Sequence, residues 1–284
     1  MSELPNQFEK HIEVREQDSI AVDFLAVESN LSKQLIKKLM QKGAVWQTFG
    51  KKTQRLRRAK KALRYGSTLH IYYDKSVLDM IPPQPTLLAD KIGYSVWNKP
   101  YGMLSQGSKW GDHCTITRWA EQYLSPQRSS YTVHRLDRAA NGLIIVAHEK
   151  KVAAALSDLF QRRQIDKRYR ILVHGQFDQR TTLKKPASIN SQIDGRDAKS
   201  HFSFVKYDSE KNQSLLDVNI ETGRKHQVRR HSAELGFPIV GDRLYGHISV
   251  SDNLQLTAYY LAFKCPFSQK LQVFNLLDPQ QTND

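Results

Sequence analysis

Cysteine is scarce in this sequence. Among 284 residues there are two, Cys114 and Cys265, far apart and in no metal-ligand spacing. That excludes a disulfide framework and a cysteine zinc site, and predicts two free thiols in a reducing compartment. Long apolar runs are also missing. None approaches the ~20 residues a membrane helix needs, and residues 1–10 are polar, without the apolar core of a secretory signal. These absences predict a cytoplasmic protein with no membrane partner. There is no internal repeat and no low-complexity stretch. His226 and His231 lie five apart with no carboxylate between them, which is not the spacing of a HExxH zinc helix. No metal and no cofactor is expected.

Acidic residues vanish from one segment. Between Lys33 and Arg64 there are twelve basic residues and no Asp or Glu. The whole chain has 43 basic and 28 acidic residues and a net charge of +15; without these twelve, 31 stand against 28. The excess therefore belongs to one small module and suits a polyanionic partner. The module has folded periodicity. Leu35, Ile36, Leu39 and Met40 share a helical face, Ser32 stands at the N-cap position and Gly43 follows the last turn. Leu69, Ile71 and Tyr73 alternate as a strand does. The cations then line a folded surface, with Lys37, Lys38, Arg57 and Arg58 as candidate phosphate contacts.

Residues 1–15 are polar and read as loosely ordered. Asp79 to Lys91, with Pro82, Pro83 and Pro85, reads as a linker. The expected organisation is a basic domain over 1–80, a linker over 81–91 and a larger domain over 92–284. In the larger domain, Ile92–Trp97 reads as a strand, and Asn98-Lys99-Pro100-Tyr101-Gly102 as a tight turn. Lys99 there either touches phosphate or closes a surface ion pair. Lys150 to Gln164 is an amphipathic helix and Lys167 to Gly175 a strand. Leu183 to Lys199 is a hairpin or surface loop; Leu216, Val218 and Ile220 alternate in a further strand. Gly223 to His231 opens a basic helix ending at Gly236, suited to an anion.

The chain is organised around Tyr131 to Ala147. Asp137 stands there between Arg135 and Arg138, and the apolar run Leu143–Ala147 follows at once. That run is short and β-branched enough for a buried strand, which puts Asp137 on a loop held by the core sheet. Charge pattern alone favours an ordinary ion-paired Asp at a strand edge, because structural ion pairs are common.

His134-Arg135-Leu136-Asp137, followed by Gly142-Leu143 and the apolar run, resembles the signature of the RluA-type RNA pseudouridine synthases. Three further segments agree in order and spacing: Asn98-Lys99-Pro100-Tyr101-Gly102, Lys167-Arg168-Tyr169, and Gly223-Arg224-Lys225-His226-Gln227-Val228-Arg229. The resemblance covers residues 90 to 266. Residues 18–74 also resemble the alpha-L RNA-binding module of ribosomal-protein type, with Ser67 where an acidic residue commonly follows the glycine.

The resemblance implies an α+β fold: a mixed, largely antiparallel sheet with flanking helices, behind a small basic α/β RNA-binding domain. It implies Asp137 as nucleophile, Arg229 as its ion partner, and Tyr169 stacked on the uracil and assisting proton removal. His134, Arg135, Leu136, Arg224, His226 and Val228 would contact RNA; His134 and Arg135 could fill the space of a flipped-out uridine. The implied reaction breaks the N1–C1′ bond and makes a C5–C1′ bond. An ionised carboxylate suffices for it, attacking ribose C1′ or uracil C6. The expected partner is RNA, ribosomal before transfer RNA, and the expected state a monomer. Ala140-Asn141 stand where the family often has Thr-Ser, which affects the loop's hydrogen bonding. Two other readings are weaker. A non-catalytic RNA-binding factor need not keep Asp137, Tyr169 and Arg229. A phosphatase or glycosidase would want a second carboxylate beside Asp137, and the neighbours are Arg, Leu, Ala and Asn.

Overall fold

The alternating apolar residues of 68–74 form the middle of a four-stranded antiparallel sheet. The computed structural model describes residues 4–246 and 253–278, in two units. The first unit runs to Pro82 and also holds Gln106–Tyr123. Its elements are β1 (Gln7–Glu13), α1 (Ala21–Ser29), α2 (Lys33–Gln41), β2 (Val45–Phe49), β3 (Lys52–Arg55), β4 (Thr68–Asp74), α3 (Lys75–Leu78) and α4 (Ile116–Tyr123). Strand order is β1-β4-β2-β3. Leu69, Ile71 and Val45 form one core with Ile36, Leu39 and Met40 of α2. Ser32 caps that helix, its hydroxyl accepting the Leu35 N–H at 3.2 Å.

Two features depart from expectation here. Residues 7–13 are not loose: they form β1, paired along its length with β4. Only Phe8 and Ile12 reach the core, so the charged residues between them hide the alternation. Gln106–Tyr123, assigned by sequence to the larger domain, packs within the first unit. Asp112 takes the guanidinium groups of both Arg55 and Arg57, and Trp46 Nε1 donates to the Lys109 carbonyl at 3.0 Å.

The second unit contains β5 (Thr86–Asp90), β6 (Tyr94–Lys99), β7 (Tyr131–Thr132), β8 (Asn141–Ala147), α5 (Lys150–Gln161), β9 (Ile165–His174), β10 (Ala187–Ile193), β11 (Arg196–Asp208), β12 (Gln213–Ile220), α6 (Gln227–Glu234), β13 (Leu256–Lys264) and β14 (Leu271–Asn275). The sheet runs β10-β11-β12-β9-β13-β8-β6-β5, with β14 on β13 and β7 on β8. Among the described residues only β13 and β8 pair in parallel, so the sheet is mixed and largely antiparallel and the class is α+β. Residues expected in the linker form β5, which pairs with β6; the prolines stop at Pro85 and leave its amides free to pair.

β8 is central, with Gly142 to Ala147 all buried, as a strand covered on both faces should be. It begins where Gly142 (φ +118) meets β13 so closely that a Cβ would overlap the backbone of Ala258. Val152 and Leu156 of α5 pack with Leu143, Ile145, Leu261 and Phe263. Val228 of α6 packs with Ile171, Val218 and Leu256. These cores fix the loop before β8 and the start of α6.

Candidate active site

The loop carrying Asp137 is held by its backbone. The Ser105 hydroxyl accepts the Leu136 N–H at 3.0 Å and donates to the Leu136 carbonyl at 2.7 Å. Lys99 is fully buried. Its ammonium donates to the carbonyls of Pro100 (3.1 Å), Met103 (2.9 Å) and Ala140 (2.6 Å). Three donors meet three acceptors, so Lys99 neither touches phosphate nor closes a surface ion pair. It ties the turn after β6 to the loop of Asp137. Burial lowers its pKa to about 8, against the pull of Asp137.

His134 also differs from expectation. Its Nε2 accepts the Ile145 N–H at 3.0 Å, and its ring stacks on Phe160 with centroids 4.3 Å apart. Burial depresses its pKa to about 3, helped by nearby Lys167. A neutral ring committed to the strand backbone is not available to RNA. Leu136 is buried, and Arg135 is exposed. Asn141 Oδ1 accepts the Thr257 hydroxyl at 2.8 Å, so the residue standing for the family's common Ser bonds to β13.

Two cationic or polar groups face Asp137, whose side chain is 28% exposed. Arg229 Nη1 lies 3.5 Å from Oδ2, and His226 Nε2 lies 3.7 Å from Oδ1. Arg229, in the first turn of α6, gives its other nitrogens to Asp242: Nε to Oδ2 and Nη2 to Oδ1, both at 2.7 Å. Asp242 also accepts the N–H groups of Leu244 (2.9 Å) and Tyr245 (3.1 Å). Burial works to raise the Asp242 pKa, but Arg229 and those amides hold it below the usual carboxylate range. Burial opposes the Arg229 charge in turn, and Asp242 and Asp137 together lift its pKa above the ordinary value.

Tyr169 sits on β9, opposite Val218 of β12 and Ala258 of β13, partly buried against the second core. Burial, and then the charge of Asp137, push its phenol well above its ordinary value. It stays protonated, so the ring suits stacking and the oxygen is not a ready base. Val228 is buried in the core. The Arg224 guanidinium donates to the Asp197 carbonyl at 3.0 Å. α6 starts at Gln227, so Arg224, Lys225 and His226 precede its first turn and do not make the basic helix N-terminus expected. The Gln227 side chain explains the late start. It accepts the Arg224 N–H (3.0 Å) and the Thr222 hydroxyl (2.7 Å), folding the segment before the helix onto itself.

In the first unit, Lys37, Lys38 and Arg58 are exposed, and Lys38 lies 3.6 Å from Asp79. Arg57 is engaged by Asp112 and donates to the Gln41 carbonyl at 3.1 Å, so it is a structural cation rather than a free phosphate contact. Sequence reasoning missed Asp242 and Tyr245. The signal was the lone acid in Gly241-Asp242-Arg243-Leu244-Tyr245-Gly246, bracketed by glycines that permit a tight turn. Among the described residues, no group of three or more His, Cys, Asp or Glu is placed to hold a metal ion.

The family pattern described as RNA pseudouridylate synthase matches residues 93–234. A ribosomal large subunit pseudouridine synthase D of Zymomonas mobilis is 32% identical over 166 residues, 52% of this chain and 52% of the relative. The chain thus spans about half the length of that relative. A tRNA pseudouridine synthase C of Vibrio cholerae is 29% identical over 210 residues, covering 61% of this chain and 82% of the relative. The solved structure of human RNA pseudouridylate synthase domain containing 1 superposes with a TM-score of 0.57 at 21% identity, over 70% of this chain and 87% of that one. At that identity the likeness is one of fold.

Proposed function

The chain belongs to the RNA pseudouridylate synthase family, and from that premise we propose that it isomerises specific uridines of structured RNA, ribosomal RNA first and transfer RNA second. The observation that carries this reading is the pairing of Asp137 with Arg229 on a loop fixed by Lys99 and Ser105. Asp137 is the nucleophile, attacking C1′ or C6. Arg229 favours its ionised form and holds its direction. Tyr169 stacks on the uracil that has left the base stack. The exposed Arg135 occupies the vacated space. Lys37, Lys38 and Arg58 contact phosphates, as an alpha-L-like module would. No cofactor enters this reaction scheme, and the protein acts as a monomer in the cytoplasm.

The test is nucleoside analysis of unmodified ribosomal and transfer RNA after incubation with purified protein. Conversion of a stoichiometric uridine to its C5-linked isomer in one RNA class is the expected result. No conversion in either class overturns the reading.

A further inference from the structure

Both oxygens of Asp137 have a facing partner, and each partner is held by a side chain from the turn after α6. Arg229 is held by Asp242; His226 is held by Tyr245. His226 Nδ1 lies 3.0 Å from the Tyr245 phenol oxygen. Arg230 Nε lies 3.1 Å from the same oxygen, and a guanidinium can only donate. Arg230 occupies an acceptor position of that oxygen, which leaves the phenol hydrogen free to be donated to Nδ1. A neutral imidazole accepting at Nδ1 carries its own hydrogen on Nε2, the nitrogen that faces Asp137 Oδ1 at 3.7 Å. Burial and the cations Arg229, Lys225 and Arg230 keep the ring neutral against the pull of Asp137. Its backbone is left-handed (φ +55), unusual outside glycine and the kind of strain that gathers at functional sites.

We propose that Tyr245 is a positioning residue that sets the tautomer of His226, so that His226 presents an Nε2–H donor to Asp137 opposite the Arg229 donor. The role rests on the reading of Asp137 as nucleophile. The 3.7 Å separation is longer than a hydrogen bond and closes when the carboxylate settles against substrate. With a donor on each oxygen, the carboxylate is kept ionised and cannot rotate away from the reacting carbon.

Protein labelled with 15N-histidine is the test material, because long-range proton–nitrogen correlations show which ring nitrogen carries the hydrogen without any need for turnover. His226→Gln assigns the signal by removing it. The expected wild-type pattern at neutral pH is the Nε2–H tautomer. In Tyr245→Phe an Nδ1–H population is expected, and kcat falls about tenfold with KM little changed, the size of one lost hydrogen bond. His226→Gln, which keeps an N–H near the Nε2 position, should retain more turnover than His226→Ala. An Nδ1–H tautomer in wild type, or an unaltered tautomer in Tyr245→Phe, overturns the proposal. Wild-type protein that converts no uridine would instead defeat the functional reading, and the tautomer result would still decide the role of Tyr245.

Discussion

Asp242→Asn is the perturbation whose size the geometry sets best. Arg229 and Asp242 are 5% and 0% exposed at their side chains and share two bonds of 2.7 Å. Asparagine keeps the shape and one acceptor oxygen but turns an amide N–H group towards the guanidinium. Removing one partner of a buried pair costs about 3–5 kcal/mol; with one acceptor kept, about 3 kcal/mol is expected. At about 2–4 °C per kcal/mol for a unit of this size, Tm should fall by about 6–12 °C. The pair also aims Arg229 Nη1 at Asp137. A displacement of about 1 Å near reacting atoms can lower a rate about a hundredfold, so kcat should fall by about that factor. The Asp242 pKa is depressed in the folded state. Its stabilisation is therefore present above the unfolded value of about 3.9 and is lost as pH falls through the folded value. The wild-type advantage should be constant near neutrality and shrink below about pH 4. Calorimetry and single-turnover kinetics measure both effects. A Tm unchanged within about 2 °C, or turnover within about twofold of wild type, would refute the reasoning.

Lys99→Met leaves three carbonyls unpaired and should lower stability by about 2–4 kcal/mol at pH 7. The Lys99 pKa falls from 10.5 to about 8 on folding, so between those values the unfolded chain holds the extra proton and wild-type stability gains with pH, by up to about 3 kcal/mol. Urea midpoints from pH 7 to 10 should show that gain in wild type relative to Lys99→Met; parallel curves would be inconsistent with it. Gly142→Ala should lose about 2–5 kcal/mol, from positive φ and from overlap with Ala258, and a thermal melt matching wild type would contradict the close approach of β8 and β13. Lys37→Ala should weaken RNA binding and reduce the salt slope by about one counterion. Arg57→Ala should leave that slope unchanged and lower the melting temperature of the first unit. Salt-dependent binding isotherms distinguish the two, and the reverse assignment would argue against Arg57 as a structural cation.

The central strands were legible because their periodicity is strong: Leu69 to Tyr73 alternates, and Leu143 to Ala147 is a continuous apolar run. β1 was not, since Gln7 to Glu13 shows water every residue except Phe8 and Ile12. Asp137 was found by its motif, yet what holds it lies far along the chain. Asp242 and Tyr245 reach the site only through the turn after α6, and the glycine-bracketed acid that marks this turn does not say what it will meet. The sequence reading gives Lys99 a phosphate contact or a surface ion pair and His134 an RNA contact, since lysine is seldom fully buried without partners and the motif alone does not show where a histidine ring points. Their partners are backbone groups, three carbonyls that accept from one and the Ile145 N–H that donates to the other, and backbone groups leave no mark in a sequence. The basic run was read correctly as charge and wrongly as free charge at Arg57, because Asp112 lies outside it.

Release of tritium from RNA labelled at uridine C5 tests the central claim most directly, since that hydrogen is lost only when the new glycosidic bond forms at C5. Wild-type protein and Asp137→Asn, matched for melting temperature and RNA affinity, would each receive ribosomal and transfer RNA. Release by wild type and none by Asp137→Asn is the outcome expected of an Asp137 nucleophile. Equal release by both proteins would contradict it, and retained RNA binding with no release by wild type would mark a binding factor on a synthase fold.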